Sequence, residues 1–398
     1  MKRVFYMCFL LGCSVRLYDS GDDPTLTGGP DPSAGTEPSP SSCTGAVDPD
    51  RELLVTDPSV LGDGRASWTF GARLEEIAGA YAATSTASAW LDEWTNVTSV
   101  GGAAVTPRTG VSVLADAWKA NGWDPVRAPF QLIAIVNRPD LRDDPSACVG
   151  SAGELRFVYN AVDSKGAALA MTIIVEIPYP KTKSPHDWAA AWHALAGLEF
   201  GAAYNDALES LTRSVTENVD VRTIRVRTNE SIFGDGWEMR EFAATAEGTL
   251  DQVALDTTPR QDLDGSYTLA SWAKDNASVV ASGAWILPAS MRAGASPIPS
   301  GFRWTLPGTS STLRTEFSTG TCNGCHGGET TALPFQHLAL GNGYYGDSTP
   351  TAQVSPFLKK ELGRRAQSMT NALCSTCDEG SSSSSPYAPE PTSPSCSK

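Results

Sequence analysis

Residues 319–330 read TGTCNGCHGGET, with two cysteines three apart, Cys322 and Cys325, and His326 directly after the second. Three chemistries suit that spacing. The two thiols can reach the vinyl groups on one edge of a porphyrin and form thioethers, with the next imidazole falling beneath the iron as its proximal ligand. They can instead oxidise to each other and leave His326 a bystander. Or they can share a zinc ion with His337 and a fourth ligand such as Cys374 or Cys377, a mixture of N and S donors that zinc accepts. With nine Cys and four His in 398 residues, about 0.002 chance C-x-x-C-H matches are expected, so the motif is not background.

The choice depends on the compartment. The chain opens MKRVFYMCFLLGCS: Lys2 and Arg3 form a positive start and Val4 to Leu11 an apolar run. That run is far shorter than the roughly 20 residues needed to span a bilayer, so it is a signal segment. It ends at Leu11-Gly12-Cys13, a small residue before a cysteine, which resembles the bacterial lipoprotein signal and marks Cys13 for lipidation. From Asp19 to Asp63 there are ten acidic residues and one basic one, Arg51, among Gly, Pro, Ser and Thr. Such a stretch has little apolar surface to bury and reads, up to about Thr44, as a disordered tether. A Ser/Pro tail closes the chain from Glu379. The net charge of −15 and pI near 4.7 argue against nucleic acid or anionic lipid as a partner.

Between the two ends the pattern is mixed. Residues 71–94 have helical spacing, with Leu74, Ile77 and Tyr81 on one face. "PFQLIAIVNRPDL", "ELRFVYNAV" and "ALAMTIIVEIPYP" read as successive strands, the first stopped by Pro139 and the third by Pro178 and Pro180. Ser184-Pro185 is a helix cap with a first-turn proline. A second helix follows near residues 202–215, and then "VRTIRVRTN", whose alternating Val221, Ile224 and Val226 predict a half-buried strand. "WEMREFAAT" and "QVALDTTP" predict further strands, and "YTLASWAKDNASVVAS" a helix. Strands near one another in sequence, with helices in blocks, indicate an α+β fold with a mainly antiparallel sheet and flanking helices. The expected organisation is a signal over 1–13, a tether over 14–44, a main domain over 45–307, a small loop-rich and helical C-x-x-C-H module over 308–378 and a tail over 379–398.

At Cys322, Cys325 and His326 the sequence resembles the c-type cytochromes. The longer string from Thr321 to Met369 resembles the C-terminal segment of uncharacterised bacterial lipoproteins of myxobacterial type. The first resemblance implies haem c, held by thioethers to Cys322 and Cys325 and by His326 on iron. For the second axial position the candidates are His337, which has no packing role in sight, and alternatively Met369, which shares a helical stripe with Leu358 and Leu362. The expectation is an outer-membrane lipoprotein with an electron-transfer or redox role; the alternative is a non-haem surface binding protein whose cysteines form disulfides or a zinc site. No G-x-S-x-G, P-loop or H-E-x-x-H pattern appears, so no catalytic residue is assigned. His186 and His193 read as surface or packing residues, and "GNGYYG" at 341–346 lacks the preceding strand of a nucleotide loop.

Overall fold

The computed structural model describes residues 45–79, 82–142, 151–283, 285–298, 301–333, 335–341 and 352–375. The expected signal with Cys13, the tether, the tail and the cysteines at 43, 148, 377 and 396 lie outside them.

The fold is α+β. An eight-stranded sheet, antiparallel at every pairing, runs in the order Leu54–Val55, Phe130–Arg138, Glu154–Val162, Ala168–Pro178, Arg225–Glu230, Trp237–Ala244. Beyond the last of these, Ser296–Ile298 pairs with its first half and Leu250–Val253 with its second. The three central strands are the three apolar runs read from the sequence; the first and third end at prolines, which cannot donate to a ladder.

Alternate residues of a strand face opposite sides, so the sheet has two different faces. On the first, Phe157, Tyr159, Ile173, Val175, Val226 and Phe242 are buried. Helices Phe70–Ala78, Ala83–Asn96 and Ser112–Lys119 bring Phe70, Trp90, Trp94 and Trp118 onto this core. Phe70 meets Tyr159 edge-on at 5.4 Å and Trp90 meets Phe242 at 5.9 Å. The single helix expected over 71–94 is two, because Gly79 sits at φ +74°, a conformation no helix continues through.

The second face is charged and also buried. Register places Arg156 opposite Glu176, and Glu176 opposite Arg225. Arg227 stands between Glu176, at 3.4 Å, and Glu241, at 3.0 Å. All six residues of Arg225–Glu230 are buried, where alternation had predicted a half-buried strand. The cover comes from the C-terminal part of the chain: the Cys322 turn, the strand Leu338–Leu340 and the 18-residue helix Pro356–Leu373. A separate apolar cluster around Trp285, Trp304 and Phe317 spans Pro307-Gly308, so residues on both sides of that point share one packing unit. Leu338–Leu340 supplies the strand before "GNGYYG" that sequence had not indicated; it pairs antiparallel with Ala352–Val354.

Burial this extensive leaves a pH signature. Burial raises the carboxyl pKa of Glu52, Glu76, Glu238 and Asp256, with basic neighbours pulling each back only in part. A carboxyl whose folded pKa is raised binds its proton more tightly when folded, so its contribution is complete below the unfolded value of about 4 and lost as pH rises through the folded value. Asp140 is opposite: burial alone would raise it, but Arg138, Arg365 and Arg364 hold it far below the carboxylate range. Its contribution is present above about pH 4 and lost below. The urea midpoint should therefore be higher at pH 5.5 than at pH 7.5 and fall steeply below about pH 4. A midpoint that rises from 5.5 to 7.5 would contradict this balance.

Candidate functional site

The motif is built into the fold by its own spacer residues. Helix Ser311–Thr319 ends at Gly320, and Thr321 caps a new four-residue helix, Cys322–Cys325. The Thr321 hydroxyl donates to the Ser318 carbonyl at 2.7 Å and accepts from the Gly324 amide at 3.0 Å. The Cys322 amide donates to the Thr258 hydroxyl at 2.9 Å, tying the turn to the strand Leu255–Pro259. Asn323 accepts from the Trp304 indole at 2.8 Å. Gly327 and Gly328 lie against the backbone of residues 301–302: a Cβ on Gly328 would come 2.5 Å from the Gly301 carbonyl oxygen. The glycines after the motif thus serve a close backbone approach as well as ending the helix.

His326 is held on three sides. Its Nδ1 is 2.6 Å from the Phe335 carbonyl oxygen. A carbonyl only accepts, so Nδ1 carries the proton and Nε2 keeps the lone pair of the neutral ring. Trp237 stacks on the ring at 5.4 Å and 28°, and its indole donates to the Asn229 side chain. His337 lies on the ring at 4.7 Å and 47°. The Nδ1 of His337 is 2.9 Å from the Ser355 hydroxyl and its Nε2 3.4 Å from the Cys325 sulfur.

Both motif sulfurs are thiols in a buried setting: Cys322 is 3 % exposed, Cys325 is 0 % exposed, and neither is in a disulfide. Cys374 is in a disulfide and has no thiolate to offer a metal; Cys377 lies outside the described residues. Among the described residues no three His, Cys, Asp or Glu side chains gather at metal-binding distance. The sequence therefore named residues that the fold does bring together, Cys325, His326 and His337. It separates the alternative ligand: Met369 is fully buried in the main core, its sulfur 3.8 Å from the Asn137 amide, as its helical stripe had implied. His193 contacts buried Glu52 at 2.9 Å, and His186 faces solvent beside Asp187.

Cys325, His326 and His337 border a cleft of about 760 Å³, counted out to its mouth, between the second sheet face and the C-terminal cover. The space inside it that a water-sized molecule can reach is only about 100 Å³. Its apolar walls are Val136, Val158 and Ile174 from the sheet and Leu338, Phe357 and Leu358 from the cover. Arg138, Arg156 and Arg365 also line it, with Thr172, Asn229 and Glu361. Sequence spacing could not find this cleft, because it joins strands near residue 136 to a helix near residue 365. The arginines at 156, 225 and 227 in strands otherwise rich in Val and Ile were the available signal.

The chain matches no known protein family, no curated protein and no solved structure.

Proposed function

We propose that this protein is an envelope-anchored c-type haem lipoprotein with an electron-transfer or redox role. The observation behind the reading is the state of His326. Its protonated nitrogen is fixed on a backbone carbonyl and its lone-pair nitrogen is left for a metal, the arrangement that orients metal-binding histidines generally. The two thiols and the apolar walls beside Cys325 would border a porphyrin edge and face once the C-terminal cover has opened to admit the group. Cys322 and Cys325 would hold the group covalently and His326 would bind its iron; bound haem supplies one-electron chemistry. Trp237 and the Phe335 carbonyl orient the His326 ring, and the buried walls exclude water from it.

The test is a spectrum. Matured protein should show a Soret band that survives acid-acetone extraction, and Cys322→Ala/Cys325→Ala should lose it entirely. A colourless mature protein would overturn the reading. His337 remains the candidate second axial ligand, but its ring is only 4.7 Å from that of His326. His337 now contacts Cys325 and Ser355, so holding the group as well would mean giving up the Cys325 contact. His337→Ala should then convert low-spin iron to high-spin, while Met369→Leu leaves it low-spin; the reverse pattern would assign the methionine.

Anchoring is separately testable. Cys13→Ser should move the protein from the membrane fraction to the soluble fraction, since a single residue then removes the lipid attachment site. Membrane association unchanged by the substitution would sink the lipoprotein half of the proposal.

A further inference from the structure

Arg365 is a poorly compensated cation of the cleft wall. It is 8 % exposed, it lines the cleft, and its Nε finds no hydrogen-bond acceptor. The nearest carboxylate oxygen, on Asp140, is 4.0 Å away. Asp140 is already committed, accepting twice from Arg138 at 2.9 Å and once from Arg364 at 3.0 Å. Arg156, also lining the cleft, faces Glu154 and Glu176. The remaining acid of the cleft wall, Glu361, is turned to Arg364 at 2.9 Å.

A buried cation whose nearest carboxylates are already taken by other arginines is unfavourable. Burial first, and then the neighbouring Arg138, push Arg365 down to about 9. A guanidinium does not give up its proton in a protein, so the shift measures how far the cation lacks compensation. The Arg365 surroundings include three further arginines, at 138, 156 and 364, and the carboxylates of Asp140 and Glu361.

We propose that this end of the cleft is a carboxylate-binding subsite, in which Arg365, beside Arg138 and Arg156, takes the acid group of an apolar organic acid. The body of that acid lies on Val136, Val158 and Ile174 beneath Leu338 and Phe357. Register gives the dimension: Thr172 pairs with Asn160, four residues from Arg156 along the strand, or about 13 Å. Thr172 and Asn229 mark the His326 end of the cleft, through the Trp237–Asn229 contact. An acid bound at the arginines therefore extends its apolar body toward the thiols and imidazoles. The planar fork of arginine suits a carboxylate, and the dry wall strengthens the pair.

The subsite stands whether or not haem is attached. The propionate edge of a porphyrin and a free aliphatic acid present the same group, and two ligand pairs separate them. With the full-length Cys322→Ala/Cys325→Ala chain as parent, dodecanoate is compared with dodecanol, and mesoporphyrin IX with its dimethyl ester. At least one acid should bind tenfold or more tighter than its uncharged mate. A preference in the porphyrin pair alone identifies a porphyrin edge as the occupant, and in the aliphatic pair alone a free acid. Arg365→Met should abolish the preference and raise the thermal midpoint of the ligand-free chain, a rise that a merely structural arginine would not give. Arg365→Lys should retain most of the preference. No preference in either pair, a preference that survives Arg365→Met, or a midpoint that falls in that variant each overturns the proposal. If the double-alanine parent does not fold, wild-type chain from a host without c-type haem attachment takes its place under the same criteria. The haem reading is judged by the Soret band of the mature wild-type chain, which none of these measurements uses.

Discussion

Gly324→Ala is expected to destabilise the protein by about 2–4 kcal/mol, more than any other single methyl added near the site. A Cβ on Gly324 would lie 1.9 Å from the Ser318 carbonyl oxygen and 2.7 Å from its carbon, both backbone atoms. That carbonyl cannot swing away cheaply, because it accepts from the Thr321 hydroxyl at 2.7 Å and the Thr321 amide at 3.1 Å. Relief of the clash breaks the cap of the Cys322–Cys325 helix and opens the turn. Asn323→Ala, beside it, loses one buried hydrogen bond to Trp304 and should cost about 1–3 kcal/mol without opening the turn. Urea midpoints measure both, and thiol labelling in native buffer should speed up for Gly324→Ala only. A Gly324→Ala midpoint matching the parent would show that the backbone here yields more easily than the packing indicates.

The second large effect lies at Glu230. Its side chain is fully buried, accepts the amides of Ile232 and Phe233 at 2.9 Å each, and meets Arg108 at 2.5 Å in an ionic contact that is not aligned as a hydrogen bond. Arg108 in turn donates to the Gly236 carbonyl at 2.7 Å, so the pair fixes the loop that delivers Trp237 to His326. Glu230→Gln keeps the shape and the acceptor but leaves Arg108 buried without its main counter-charge. Breaking one side of a buried pair costs about 3–5 kcal/mol. The double variant Glu230→Gln/Arg108→Met should recover part of that loss, since no lone charge remains. A double variant worse than the sum of the singles would mean that shape, not charge, sets this loop.

The strands were legible because Val, Ile and Phe run together, in two cases up to a proline, and one capped helix because Ser184 stands before proline. The motif was legible because its spacing is rare. The second sheet face was not, since a periodicity that treats charge as a mark of solvent must read Arg225 and Arg227 as exposed. Their burial depends on a cover contributed more than a hundred residues later. Nor could spacing tell that Trp237 and Phe335 hold His326 from two sides, or that Arg365 looks into the same cleft. Gly327 and Gly328 disfavour a helix by type alone, but their contact with residues 301–302 is a tertiary fact.

The sealing of both sulfurs has a temporal consequence. A reagent of any size meets Cys325, at 0 % exposure, only after the C-terminal cover has lifted from the sheet. Modification of these thiols, whether by an alkylating probe or a maturation enzyme, is thus restricted to chains still folding or to native molecules caught in a transient excursion. In the second case the labelling rate reports the opening free energy of that cover, provided closing is faster than the reagent. On the proposed haem reading, whatever is to be joined to Cys322 and Cys325 would have to arrive while Leu338–Leu340 and Pro356–Leu373 are still undocked.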